Sequence, residues 1–210
     1  MQSYYIHFIR HGMTVEDNKG KYIGQTDVSL SKEGIDDLIK YDRLYKYPGV
    51  GTVYTSPLLR CVQTCNILYP NVKPEVIQDF AECNFGDWEG KTAKELAGNP
   101  KFVNWLANSR DNSPENGESG ADFTRRICKA FEKLAGELMS SGKTEAAVIT
   151  HAGVITTLMS VYGLPQAEAY KWKMDNGFGY SVRLTPFLWM RDKVVEVYDY
   201  CPREREHEEE

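Results

Sequence analysis

The stretch that most constrains the fold is Tyr4-Tyr5-Ile6-His7-Phe8-Ile9-Arg10-His11-Gly12. An apolar, aromatic and β-branched run of this kind reads as a strand buried on both faces, the mark of a sheet covered by helices. Gly12 marks the turn after it. Arg10 and His11 therefore fall at the carboxyl end of a buried strand, where open α/β sheets bind ligands. The same design returns twice. Gly51 to Thr55 is a short apolar run leading to Ser56-Pro57 and a helix that carries Arg60, and Glu145 to Thr150 leads to His151-Ala152-Gly153 and another helix. Strands alternating with helices predict an α/β fold, a three-layer α/β/α sandwich with a mostly parallel central sheet, as one domain over residues 1–202.

The helices have readable ends and faces. Ser31 is the expected N-cap of a helix whose apolar positions are Ile35, Leu38, Ile39 and Leu44 or Tyr45, ended by Pro48-Gly49. Ser56 is expected to cap the next helix with Pro57 in its first position, and Leu58, Cys61, Val62, Cys65, Leu68 and Tyr69 share one face. Thr92 to Ala97 and Lys101 to Ala107 read as short helices. Ser119 opens the longest helix, with Phe123, Ile127, Phe131, Leu134 and Leu138 inward and Gly142 closing it. Tyr180 to Leu184 and Val194 to Tyr200 are expected as strands at the sheet edge. The thirteen residues from Asn108 to Gly120, rich in Asn, Ser, Pro and Gly, suit a lid or binding rim. No internal repeat or linker divides the chain.

Composition excludes several classes. Hydrophobic residues at 41% and charged residues at 26% are ordinary for a globular protein. No apolar run approaches the roughly 20 residues of a membrane helix, and Met1-Gln2-Ser3 lacks the basic start of a signal peptide. A cytoplasmic location is expected. Of the formal net charge of −5, the segment 203–210 holds five Glu against two Arg. That leaves about −2 on the body, with no basic run to grip nucleic acid. This charged segment is expected to be disordered. The five cysteines are odd in number and lack CxxC spacing, so neither a disulfide framework nor a zinc site is indicated; Cys61 and Cys65 read as packing residues, and so does His7 in its apolar strand.

Parallel strands would bring the three junctions to one edge of the sheet, gathering Arg10, His11, Arg60 and His151 with helix N-termini. Two arginines, two histidines and helix N-termini make a pocket for a small polyanion, most naturally a phosphate. Gly20 and Gly24 fall in a polar loop that bends or approaches a ligand closely.

The residues also resemble a known family. Arg10-His11-Gly12 with Thr14, Ser56-Pro57-Leu58-Leu59-Arg60, Glu82 ahead of Phe85-Gly86-Asp87-Trp88-Glu89-Gly90, Gly117-Glu118-Ser119 and Thr150-His151-Ala152-Gly153 are similar to the blocks of the histidine phosphatase superfamily, the phosphoglycerate mutase-like proteins. The likeness runs from Tyr5 to about Leu184. It implies a phosphoglycerate mutase-like fold and a metal-independent phosphomonoesterase with no cofactor. His11 would be the nucleophile, Glu82 the general acid and base, and His151 a catalytic donor. Arg10, Arg60, Thr14, Asp17, Asn18 and Gly24 would hold the phosphate of a small-molecule ester, with no nucleic acid or membrane partner and a monomeric or dimeric state left open.

Within the superfamily, the region Trp88 to Glu95 lacks the paired arginines of the mutases, which favours a phosphatase over a mutase. Together with Gly163-Leu164-Pro165 and Asp175-Asn176-Gly177, the blocks look most like the α-ribazole phosphatase branch. A phosphoglycerate-type mutase and a non-catalytic phosphate-binding protein are the alternatives; a metal-dependent hydrolase lacks any HExxH or comparable cluster. Where the family usually has Asn six residues after the histidine, this chain has Asp17 followed by Asn18. A carboxylate cannot donate to phosphate, so either Asp17 points away and Asn18 substitutes or the pocket is tuned differently. Asp79, Asp87 and Glu89 compete with Glu82 as candidate acids.

Overall fold

A computed structural model describes residues 2–205. In chain order the elements are β1 (Tyr4–Arg10), α1 (Lys32–Leu44), β2 (Tyr45–Lys46), β3 (Val53–Thr55), α2 (Leu59–Leu68), β4 (Glu75–Val76), α3 (Ala93–Leu96), α4 (Pro100–Ala107), α5 (Gly120–Ser141), β5 (Glu145–Thr150), α6 (Ala152–Tyr162), β6 (Gly163–Leu164), β7 (Gly179–Leu184), α7 (Pro186–Asp192), β8 (Val195–Cys201) and β9 (Arg203–Glu204). Seven strands form the main sheet in the order β4-β3-β5-β1-β7-β8-β6, and β2 pairs with β9 apart from it. β1 lies parallel to β5, with Arg10 opposite Thr150, and β5 lies parallel to β3. The three strand-to-helix junctions thus end on one edge. β7 pairs antiparallel with both β1 and β8.

Alternation along β1 sends Ile6 and Phe8 to one face, where they pack with Phe131 of α5 and Ile155 of α6, and Ile9 to the other, with Leu38 of α1 and Cys61 of α2. This is the expected three-layer sandwich with a mostly parallel sheet. Ser31 and Ser119 cap α1 and α5 through their hydroxyls, as their positions predict. No helix among the described residues is long and apolar enough to cross a membrane.

Four expectations are corrected. α1 stops at Leu44, short of Pro48-Gly49, because Tyr45–Lys46 leaves to pair with Arg203–Glu204. That pairing also orders the first residues of the charged tail, with Arg203 set over the Tyr198 ring at 5.7 Å; residues 206–210 lie outside the described residues. β7 and β8 are inner strands rather than edge strands, β7 flanked by β1 and β8, and β8 by β7 and the two-residue β6. Lastly, α2 begins at Leu59 with Leu58 as N-cap, so Ser56 and Pro57 precede the helix instead of starting it. The Asp27 carboxylate, 2.7 Å from the Leu59 amide, caps α2 from a distant loop, and the Ser56 hydroxyl is freed for the site.

Candidate active site

β1 delivers Arg10 and His11 to the sheet edge, and its neighbour β5 delivers His151, the N-cap of α6. The His11 and His151 rings meet edge to face with centroids 5.2 Å apart. His11 is buried, its backbone held between the Thr150 carbonyl and the Asn176 side chain. Its Nδ1 lies 2.7 Å from the Gly12 carbonyl oxygen. A carbonyl can only accept, so Nδ1 carries the proton and Nε2 keeps its lone pair. Burial first, then the charge of Arg60, lowers the His11 pKa to about 3. The ring is a neutral base with its lone pair on Nε2.

Arg60, from the first turn of α2, is 1% exposed. Its Nη1 and Nη2 donate to the carbonyls of Thr26 at 3.0 Å and Gly24 at 2.6 Å. Those carbonyls are set in turn by Glu89, whose carboxylate accepts from the Gly24 and Gln25 amides and the Thr26 hydroxyl at 2.9, 2.9 and 2.7 Å. The loop packs so closely that a Cβ on Gly24 would come within 1.8 Å of the Cys83 carbonyl oxygen. Gly24 therefore acts on the site through Arg60, its own amide being committed to Glu89. Arg10 donates to the Met174 carbonyl at 3.2 Å, and its buried Nε has no hydrogen-bond partner among the described residues.

Glu82 is half-buried, following the turn after Phe80. Its carboxylate accepts from the Cys83 amide at 2.9 Å and from the Gly153 amide, at the start of α6, at 3.1 Å. A Cβ on Gly153 would sit 2.3 Å from Glu82 Oε1, so only glycine lets the carboxylate approach. Burial raises the Glu82 pKa, against the opposing pull of those two amides and of Arg60 and Arg10. His151 is fully buried, with Nε2 2.8 Å from the Ser56 hydroxyl. Burial, then His11 and the two arginines, lowers its pKa well below the usual histidine value.

The remaining candidates divide. The Asp17 carboxylate is turned onto Arg10, 3.6 Å from Nη2, and accepts from the Thr14 amide. It balances the guanidinium. Thr14 is buried, and its hydroxyl accepts from the Glu16 amide at 3.3 Å. The Asn18 side chain lies outside the described residues. His7 is a satisfied core histidine between Ser181 at 2.8 Å and Glu145 at 3.1 Å.

Arg126 was not visible as a site residue in the sequence. It pairs with Glu118 and donates to the carbonyls of Asp79, Ala81 and Glu82 at 2.7, 3.0 and 3.3 Å, so it fixes the loop bearing Glu82. The one sequence signal for it was its place eight residues beyond Glu118 of the Gly-Glu-Ser block. The 108–120 loop is stitched to the same region through Glu115 to Asp87 and Glu118 to Asn84 backbone bonds. No group of three or more His, Cys, Asp or Glu suited to a metal occurs among the described residues.

A profile of the histidine phosphatase superfamily (branch 1) matches residues 6–191. The chain belongs to that superfamily. It is 24% identical over 174 residues to the adenosylcobalamin/α-ribazole phosphatase of Salmonella typhimurium, covering 80% of this chain and 85% of that one. It is also 24% identical over 203 residues to the 2,3-bisphosphoglycerate-dependent phosphoglycerate mutase of Chlamydia abortus, covering 80% and 88%. The structure of the α-ribazole phosphatase from Shigella flexneri superposes with a TM-score of 0.80 at 20% identity, over 98% of this chain and 100% of that one. A likeness at that identity speaks to the fold, which is phosphoglycerate mutase-like.

Proposed function

We propose that this chain is a histidine phosphatase hydrolysing a small phosphate monoester through a phosphohistidine on His11 Nε2, with residues 1–202 acting as one cytoplasmic domain. The carrying observation is the Nδ1 bond of His11 to the Gly12 carbonyl at 2.7 Å. It leaves Nε2 unprotonated, on a ring whose centroid stands 5.2 Å from that of His151 and which feels the charges of Arg60 and Arg10. In the first step the Nε2 lone pair bonds to phosphorus as the ester P–O bond breaks, and Glu82, as the carboxylic acid, gives its proton to the leaving oxygen. In the second, the Glu82 carboxylate takes a proton from water, the hydroxide bonds to phosphorus, and the P–N bond breaks. Arg10, Arg60 and His151 stabilise the charge that builds on the phosphoryl oxygens. No step passes through a metal.

The leaving group has room beside this cradle. A recess of about 490 Å³ starts at Ala152, next to His151, and is lined by Thr156, Tyr170, Trp172, Lys173 and Met174. An exposed Tyr170 ring and a lysine suit a nucleotide-like ester such as α-ribazole phosphate, the substrate named for the Salmonella relative. A larger cavity of about 670 Å³ lies at the opposite edge of the sheet, around Tyr5, His7 and Glu145, away from the reacting groups. The test is rapid acid-free quenching with a ³²P-labelled ester. Acid-labile, alkali-stable phosphoprotein is expected in the native enzyme and none in His11→Ala. Screening a panel with α-ribazole phosphate, an aryl phosphate and phosphoglycerates should show hydrolysis, with α-ribazole phosphate at the highest kcat/KM. Isomerisation of a phosphoglycerate without release of phosphate would mean a mutase.

A further inference from the structure

Ser56 stands where the sequence places a helix cap, yet it caps nothing conventional. Its oxygen lies 2.8 Å from His151 Nε2 and 3.4 Å from the Leu58 amide, in a fully buried pocket. The hydroxyl has one proton and two lone pairs. The Leu58 N–H can only donate, so it occupies a lone pair. The hydroxyl proton then needs an acceptor. The imidazole lone pair at Nε2 is the strong one in reach, since the neighbouring Cys61 sulfur, 3.5 Å from Nε2, accepts weakly. Were Nε2 protonated, Ser56 would accept twice and its own proton would be left to sulfur, a buried polar group without a sound partner.

We infer that Ser56 is a positioning residue which donates to His151 Nε2, drives the His151 proton onto Nδ1, and so makes Nδ1–H the donor presented to the phosphoryl group. Geometry supports the assignment from the other side. Nε2 is enclosed by Ser56 and Cys61, while among the described residues Nδ1 has only the Cys61 sulfur at 3.9 Å, too long and too poorly accepting to hold it. His11 and His151 then share one tautomer for opposite ends: in His11 it frees a lone pair for attack, and in His151 it supplies a hydrogen-bond donor. His7 takes the reverse form, because the Glu145 carboxylate at 3.1 Å requires a proton on Nε2.

This inference rests on the reading of His151 as a phosphate donor, but its test has a readout independent of turnover. Long-range proton–nitrogen spectra of ¹⁵N-histidine-labelled protein at neutral pH report which ring nitrogen carries the proton, with His7→Gln and His151→Gln assigning the signals. Expected are Nδ1–H for His151 and Nε2–H for His7. Ser56→Ala should give mixed tautomers at His151 and lower kcat about 10- to 100-fold, the range seen when a partner that orients a working side chain is removed. Ser56→Thr, which keeps the hydroxyl, should restore both. An Nε2–H signal for His151 in the native protein overturns the inference even if Ser56→Ala does not fold. A single tautomer or unchanged kcat in folded Ser56→Ala overturns the positioning role. Failure of the phosphohistidine trap would instead remove the proposed reaction while leaving the tautomer result standing.

Discussion

His11 and Glu82 have been moved in opposite directions by the same physical cause. Burial disfavours whichever form is charged, so the imidazole is held neutral and the carboxyl is held protonated to higher pH. His11, lowered to about 3, is available as a nucleophile at any pH above that value, and activity should rise as pH climbs through it. In the proposed reaction Glu82 must be protonated to serve the leaving group, so activity should fall as pH climbs through its raised pKa. An acid-side optimum in kcat/KM is expected. Glu82→Gln should remove the alkaline limb and cost about 10² to 10⁴ in kcat on esters with poor leaving groups. An aryl phosphate, whose phenolate leaves without a proton, should suffer far less. A profile with the same alkaline limb in Glu82→Gln would assign that limb to another group.

At the scale of elements, the site is held by loops that are themselves held by single side chains. The 24–26 loop hangs on Glu89 and the 79–82 turn hangs on Arg126, each satisfying several backbone groups at once. Arg126→Ala should leave Glu118 half-buried without its cationic partner, the Asn84 amide remaining, and the carbonyls of residues 79 and 81 without the Arg126 donor. Because Arg126 touches the acid's loop and not Arg10 or Arg60, kcat should fall about tenfold or more, part of what a positioned acid contributes. The inhibition constant of vanadate should stay nearly constant. Equal losses in both quantities would show that Arg126 supports the whole pocket instead.

For the whole molecule, three buried histidines respond to acid in the same sense. His7, His11 and His151 all have lowered pKa values in the folded chain, His7 through burial against the opposing Glu145. In the unfolded chain each takes up a proton near pH 6.5. Between that value and the folded values the unfolded state binds more protons, so stability is complete above about pH 6.5 and is lost as pH falls. Up to about 4 kcal/mol per pH unit follows from three such groups at about 1.4 each. Glu82 acts with the opposite sign: its raised pKa adds stability as pH falls below it, offsetting part of the loss. Urea unfolding midpoints measured from pH 7.5 to 4.5 should decline steadily below 6.5, and His7→Gln, outside the reacting groups, should flatten the slope by about one proton without lowering kcat. A flat profile would mean that these rings are charged in the fold.

Periodicity and junction residues settled the three-layer architecture, the caps at Ser31 and Ser119, and the gathering of Arg10, Arg60, His11 and His151, because each depends on strand direction and helix spacing written locally in the chain. What the tertiary structure decided was the partner of each polar group. Whether Ser56 caps a helix or binds a histidine, which backbone amides Glu89 and Glu82 accept from, and where Asp17 turns are questions of hydrogen bonds between residues distant in the chain. Local propensity is blind to them, since a buried polar atom takes whichever partner the packed fold brings within 3 Å or so.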